Sequence, residues 1–356
     1  MTFDALFVPD ELREAVADEA WLGGMLEAER ALAAAQGIEL DVGDIVISEL
    51  VEEGRAAGNP VEPLARRLRA RNPDAHRGAT SQDILDTAAA LVARNASQLI
   101  VGELDGVAAC CAQLADEHRS TLMPGRTLLQ QAVPITFGLK AAGWLVGILH
   151  ARGRLEAARL PAQLGGAAGT LAALGDEGAD VLREYASRLD LPEPVVPWHT
   201  RRLPVAELGA ALSVAGGWVG KIALDLVLLS QTEVGEVRER EGGASSAMPH
   251  KRNPVGSTLA RACALRAQAE AGVLISALAQ EHERAAGAWH AEWGALSDAL
   301  AYTGGAAASL RRALDGLEVD VDRMRANISP ETVGDEDHVG AAAAFVDRAL
   351  DAYRRG

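Results

Sequence analysis

Cysteine is scarce in this 356-residue chain: Cys110, Cys111 and Cys263, an odd number with two of them adjacent. That excludes a disulfide framework and fits reduced, structural thiols of the kind kept in a cytoplasm. The eight histidines show no metal-ligand spacing, so neither a metal nor another cofactor is expected. Aromatic residues make up only 4 %, which weighs against a β-sandwich or barrel. No run of about 20 uninterrupted apolar residues occurs, so no membrane span is expected. Met1-Thr2-Phe3-Asp4 carries no basic segment ahead of an apolar core, so no secretion signal is expected either. Basic charge is also in short supply: 34 Lys plus Arg stand against 50 Asp plus Glu, a net charge of −16. Such a chain is poorly suited to gripping nucleic acid and repels anions at long range, so any anion site must be locally basic.

Hydrophobic residues, mostly Ala, Leu and Val, make up 49 % of the chain, the composition of long packed helices. Residues 10–36 read as amphipathic and helical, with Trp21, Leu22, Met25, Leu26 and Leu32 at three- and four-residue spacing and Asp10 or Asp18 as possible helix caps. Residues 44–71 read as two shorter helices broken at Gly58-Asn59-Pro60, and 72–83 as a polar loop. Long helical patterns follow over 84–117, 128–159, 205–237, 254–280 and 288–313, with a last one over 339–353. The pattern predicts an all-α, elongated helical bundle in three parts: an N-terminal helical domain (1–83), a central long-helix bundle (84–316) and a short C-terminal helical region (317–356). Gly138, Gly143, Gly147, Gly209, Gly216, Gly217 and Gly220 suggest close backbone approach between helices. Apolar residues on more than one helix face favour a bundle shared between subunits.

Three segments do not read as packing. Residues 242–254, Gly-Gly-Ala-Ser-Ser-Ala-Met-Pro-His-Lys-Arg-Asn-Pro, place glycines, hydroxyls, a lysine and an asparagine in irregular backbone between helices. That composition suits enclosing a small anion. His76-Arg77-Gly78-Ala79-Thr80-Ser81-Gln82-Asp83 opens a helix; Thr80 or Ser81 with Asp83 forms a capping-box pattern, and such a helix N-terminus favours anions. The third is Gly125-Arg126-Thr127-Leu128-Leu129-Gln130-Gln131-Ala132. Gly165-Gly166-Ala167-Ala168-Gly169-Thr170 lacks the lysine of a phosphate loop and reads as a bend near the site.

Ser245, Ser246, Met248, Pro249, Lys251, Asn253 and Pro254 match the order Ser-Ser-x-Met-Pro-x-Lys-x-Asn-Pro, and the chain thereby resembles the fumarase/aspartase superfamily. The resemblance implies homotetramers on a central helical bundle, with active sites shared between subunits and a small anionic polycarboxylate as substrate. It implies that Ser245, or alternatively Ser246, is the catalytic serine, assisted by Lys251 and Asn253. It assigns Thr80, Ser81 and Gln82 to substrate carboxylates, with Arg126, Gln131, His199, His250 and Arg284 as further binding candidates and His282 as a secondary one. Relatives acting on adenylosuccinate or fumarate carry a histidine at the position of Gln131 and a glutamate at that of Thr258. Glutamine cannot act as a general acid near neutral pH.

Pro197-Trp198-His199-Thr200 and Gln280-Glu281-His282-Glu283-Arg284 resemble stretches of 3-carboxy-cis,cis-muconate cycloisomerases of aromatic-acid (β-ketoadipate pathway) catabolism. Trp289 stands where the nucleotide-cleaving relatives use a serine. A cycloisomerase converting 3-carboxy-cis,cis-muconate to 4-carboxymuconolactone is therefore expected. A fumarate-releasing lyase and a non-catalytic scaffold of the same fold are the alternatives. The resemblance lapses after about Asn327 and resumes at the last helix, which implies a shortened C-terminal domain.

Overall fold

The computed structural model describes residues 3–244, 248, 251–332 and 339–355. Two helices, α1 (Asp10–Ala15) and α2 (Asp18–Ala35), occupy the stretch that reads as helical. Pro9 and Ala17 hold the N-cap positions, so Asp10 and Asp18 lie in first turns, where their charge meets the positive end of the helix dipole. Helices α3 (Ile47–Gly54) and α4 (Val61–Arg71) are divided at Gly58-Asn59-Pro60 as the turn residues imply. There the Asn59 side-chain carbonyl accepts from the Val61 and Glu62 N–H groups.

The bundle begins with α5 (Ser81–Glu117), the longest helix, followed by a hairpin of β1 (Leu122–Thr127) and β2 (Gln130–Thr136), then α6 (Phe137–Ala157). The helical pattern over 128–159 is thus wrong for its first nine residues. Pro134 removes a donor and clashes inside a helix, Val133, Ile135 and Thr136 favour extended backbone, and the Thr136 hydroxyl caps α6 by accepting from the Leu139 N–H. After the short α7 (Gly178–Arg188) come α8 (Leu203–Leu229), three two-residue strands β3 (Val237–Arg238), β4 (Gly243–Ala244) and β5 (Arg252–Asn253), and then α9 (Val255–Ser276) and α10 (Ala288–Leu314). Strand β6 (Glu318–Val319) pairs with β3, and α11 (Val321–Ala326) and α12 (Ala342–Arg355) complete the chain, α12 lying on α6 and α5.

Helices α5, α6, α8, α9 and α10 pack side by side around one core, an all-α bundle. Helices α5 and α8 are long and apolar enough to cross a membrane, but here they face other helices of the bundle and carry charged residues such as Asp86 and Asp225. Gly147 fits the expected close approach, since a Cβ there would collide with the Trp218 ring, whereas Gly143 faces open space. The bundle has two ends. One, the α5 end, gathers the start of α5, the bend at 165–166, the start of α8 and the link from α9 to α10. The other, the hairpin end, gathers β1–β2, the start of α9 and the β3–β6 pair. At 37 residues α5 is about 55 Å long and at 27 residues α8 is about 40 Å long, so the ends are well separated.

Cys111 and Cys263 are buried and Cys110 half-buried. Burial pushes the Cys111 thiol far above its ordinary range, the Cys263 thiol up to about 12, and the Cys110 thiol up. The folded protein is expected to resist iodoacetamide at pH 8, with all three thiols becoming reactive only in denaturant, read by mass spectrometry.

Candidate active site

At the α5 end the organising group is Asp83. Its Oδ1 accepts from the His199 Nε2 at 2.6 Å and the Gly165 N–H at 2.9 Å, and its Oδ2 from the Thr80 and Gly166 N–H groups at 2.9 Å each. This fully buried carboxylate therefore caps α5, as the capping-box pattern foresaw, and also fixes two segments far away in sequence. Gly166 has φ +69, and a Cβ on it would meet the Gly78 carbonyl at 2.9 Å, so the bend at 165–166 needs glycine.

One turn along α5, Asp86 meets Arg202. The guanidinium, 2 % exposed, donates to both Asp86 oxygens at 2.7 and 3.0 Å, and its Nε donates to both Glu292 oxygens at 3.1 Å. Burial opposes its charge, and the two carboxylates outweigh that, holding Arg202 above its ordinary value. Burial raises the Glu292 carboxyl above the usual carboxylate range, with its bonds to Arg202 acting against this. The Trp289 indole N–H donates to Asp86 at 2.9 Å, and Gln280 donates to Glu292 at 2.9 Å. Trp289 is thus a buried donor in this network rather than an open wall of a pocket.

Arg284 reaches into the same region. It donates to the Gln82 Oε1 at 3.2 Å and to the Ala167 carbonyl at 2.8 Å, and among the described residues it meets no carboxylate. Gln82 is fully buried, its Nε2 donating to the His199 carbonyl at 2.8 Å and to Asp86 at 3.1 Å. Gln82 is fully buried and His199 only 4 % exposed, and both are bonded into this network, Gln82 to Asp86 and His199 to Asp83. Thr80 and Ser81 are half-buried at the helix start, beside the bend that Arg284 grips. His282 is exposed; its carbonyl accepts from the Thr200 hydroxyl at 2.7 Å.

At the hairpin end, Arg126 donates through both terminal nitrogens to Glu236, which is fully buried. Its charge is thus paired within the chain, and its side chain remains 25 % exposed. Gln131 is exposed, but both ends of its amide are taken: Nε2 donates to the Asn327 carbonyl at 2.8 Å and Oε1 accepts from the Ser329 N–H at 3.0 Å. Ser245, Ser246 and His250 lie outside the described residues. The ends of their loop are described: Gly243 pairs with Asn253 and Ala244 with Arg252 across β4–β5, and Lys251 is exposed. Glu239 ties the loop's exit down, accepting from the Gly256 and Ser257 N–H groups at 2.9 and 2.8 Å. The Thr258 hydroxyl donates to the Pro254 carbonyl at 2.7 Å. Thr80, Ser81 and Arg284 thus stand at one end of the bundle, and Arg126, Gln131, Lys251 and Asn253 at the other.

Sequence reasoning missed Asp86, Arg202 and Glu292, whose charges sit in ordinary helical and turn contexts and whose pairing spans up to 116 residues. Replacing Arg202 with Met leaves two buried carboxylates facing each other and is expected to cost about 3–5 kcal/mol, read as a lowered urea midpoint. Arg284→Ala removes bonds to one amide and to backbone carbonyls only, and is expected to stay within about 1 kcal/mol of the parent.

Residues 36–269 match the family model described as "Lyase". The chain is 47 % identical to a nitrosuccinate lyase of Streptomyces davaonensis, over 88 % of this chain and 74 % of the relative. It is 43 % identical to a 3-carboxy-cis,cis-muconate cycloisomerase of Bradyrhizobium diazoefficiens, over 89 % of this chain and 76 % of the relative. The crystal structure of the 3-carboxy-cis,cis-muconate lactonizing enzyme from Pseudomonas putida superposes with a TM-score of 0.88 at 32 % identity, covering 99 % of both chains. With its long-helix bundle, the chain belongs to the lyase family of the fumarase/aspartase superfamily.

Proposed function

We propose that this enzyme moves a proton at a carbon next to a carboxylate while a group that is already a stable anion adds or departs, and that its substrate pair is 3-carboxy-cis,cis-muconate and 4-carboxymuconolactone. The observation carrying this reading is the state of two positions. Gln131 and Thr258 stand where fumarate-releasing relatives carry an acid–base pair. Both have their polar atoms turned to backbone partners, and neither side chain can protonate a leaving group near neutral pH. A departing carboxylate needs no such proton.

In the lactonising direction a carboxylate oxygen of the substrate bonds to the carbon β to another carboxylate. The electron pair moves into that carboxylate as an aci-carboxylate, and the hydroxyl of Ser245, or of Ser246, delivers its proton to the carbon between. Lys251, Asn253 and loop amides, with His250 beside them, would stabilise the added charge. Thr80, Ser81 and the N-terminal amides of α5 would take a second carboxylate, with Arg284 supplying positive charge.

A second reading shares this logic. The nitrosuccinate lyase likeness favours a dicarboxylate bearing a nitro group, because nitrite is also a stable anion that leaves unprotonated. The purified protein is expected to bleach the diene absorbance of 3-carboxy-cis,cis-muconate, and Ser245→Ala to abolish this. Nitrite release from nitrosuccinate without any bleaching would replace the first substrate with the second.

The reading also requires more than one copy of the chain, because the two groups of residues stand at opposite ends of a bundle about 40 Å long. Exposed apolar side chains fit a homotetramer with shared sites. Leu128 and Leu129, 97 % and 75 % exposed, form the hairpin tip in left-handed backbone conformations, and Leu265 and Ile275 lie outward on α9. Arg284→Ala and Lys251→Ala, each inactive alone, are expected to regain activity when unfolded together and refolded as mixed oligomers, because some sites then combine two intact halves.

A further inference from the structure

Beneath the loop that leads into α5 lies a buried pair that the chemistry above does not use. Glu29 on α2 is fully buried and His76 is 6 % exposed, and the His76 Nδ1 lies 2.6 Å from the Glu29 Oε1. Forty-seven residues separate them in sequence. His76 has φ +59, a backbone conformation that a residue with a Cβ adopts at a cost. It opens the turn closed by the Ala79 N–H donating to the His76 carbonyl, and Thr80 and Ser81 follow directly. A second tie to α2 comes from Gln36, whose Nε2 donates to the Arg77 carbonyl at 3.1 Å.

The second Glu29 oxygen meets no partner among the described residues. A buried, half-satisfied carboxylate is a poor stabiliser of a fold. It is well placed to hold a side chain, and through it a backbone, in one conformation. We propose that Glu29 and His76 form a positioning latch. Glu29 holds the His76 ring, the ring holds the strained turn at 76–79, and the turn sets where the Thr80 and Ser81 hydroxyls and the first amides of α5 point. The latch itself is read from geometry; its kinetic consequence rests on the assignment of Thr80 and Ser81 to a substrate carboxylate.

Hydrogen exchange followed by mass spectrometry, on the full-length protein without substrate, tests the latch. In Glu29→Ala the amides of residues 76–82 are expected to exchange about tenfold faster or more, with peptides from the middle of α5 unchanged. Glu29→Gln keeps an acceptor for the ring and should stay within about threefold of the parent. His76→Gly, which tolerates the turn's backbone but loses the ring, should match Glu29→Ala and guards against a variant that fails to fold. With 3-carboxy-cis,cis-muconate, Glu29→Ala should raise KM about tenfold with kcat nearly unchanged, the split expected when binding alone is lost. Unchanged exchange over 76–82, or exchange accelerated evenly through α2 and α5, would overturn the latch. Absence of turnover by the parent protein would instead sink the substrate reading, and the exchange result would still decide the latch.

Discussion

Four N–H donors converge on the buried carboxylate of Asp83, and they come from three regions of the chain: Thr80 before α5, Gly165 and Gly166 in the bend after α6, and His199 ahead of α8. The carboxylate has lone pairs for all four, so capping the helix and assembling the α5 end are one event. Arg284 is positioned one step removed, since it grips the bend's Ala167 carbonyl and the side chain of Gln82, which itself bonds to the His199 carbonyl. Asp86 repeats the arrangement one turn on, drawing in Arg202, Trp289 and Gln82. The order of this end therefore depends on two acids in the first two turns of one helix.

Charge is allocated with the same economy. The chain carries a net −16, yet a polycarboxylate site needs positive potential. Arg202 is paired with Asp86 and Glu292, and Arg126 with Glu236. Their role is to join segments. Among the described residues the half-buried Arg284, bonded to carbonyl oxygens, and the exposed Lys251 meet no carboxylate, and they stand one at each end of the bundle. The N-terminus of α5 adds the dipole of a 37-residue helix to the first of these.

Much of this was legible in the sequence because the signals are local. Helical periodicity over 84–117 and 288–313, the turn at Gly58-Asn59-Pro60, the capping pattern from Thr80 to Asp83 and the ordered run from Ser245 to Pro254 each lie within a short window. The hairpin at 122–136 was misread at its second half because apolar content outweighed Pro134 and the β-branched residues around it. The partners of buried charges were invisible for a different reason. Glu29 with His76, Asp83 with His199 and Asp86 with Arg202 lie 47 to 116 residues apart, and no window links them. His199 could be picked out as unusual, but only the fold reveals that it bonds to Asp83.

The separation of the two ends bears on how independently their residues can change. Gln131 belongs to the hairpin and Thr258 to the first turn of α9, both at the hairpin end, and each is satisfied by nearby backbone. The α5 end contains neither, and its hydrogen bonds to Asp83 and Asp86 do not involve them. The residues at positions 131 and 258 can thus vary without disturbing the hydrogen bonds that build the α5 end.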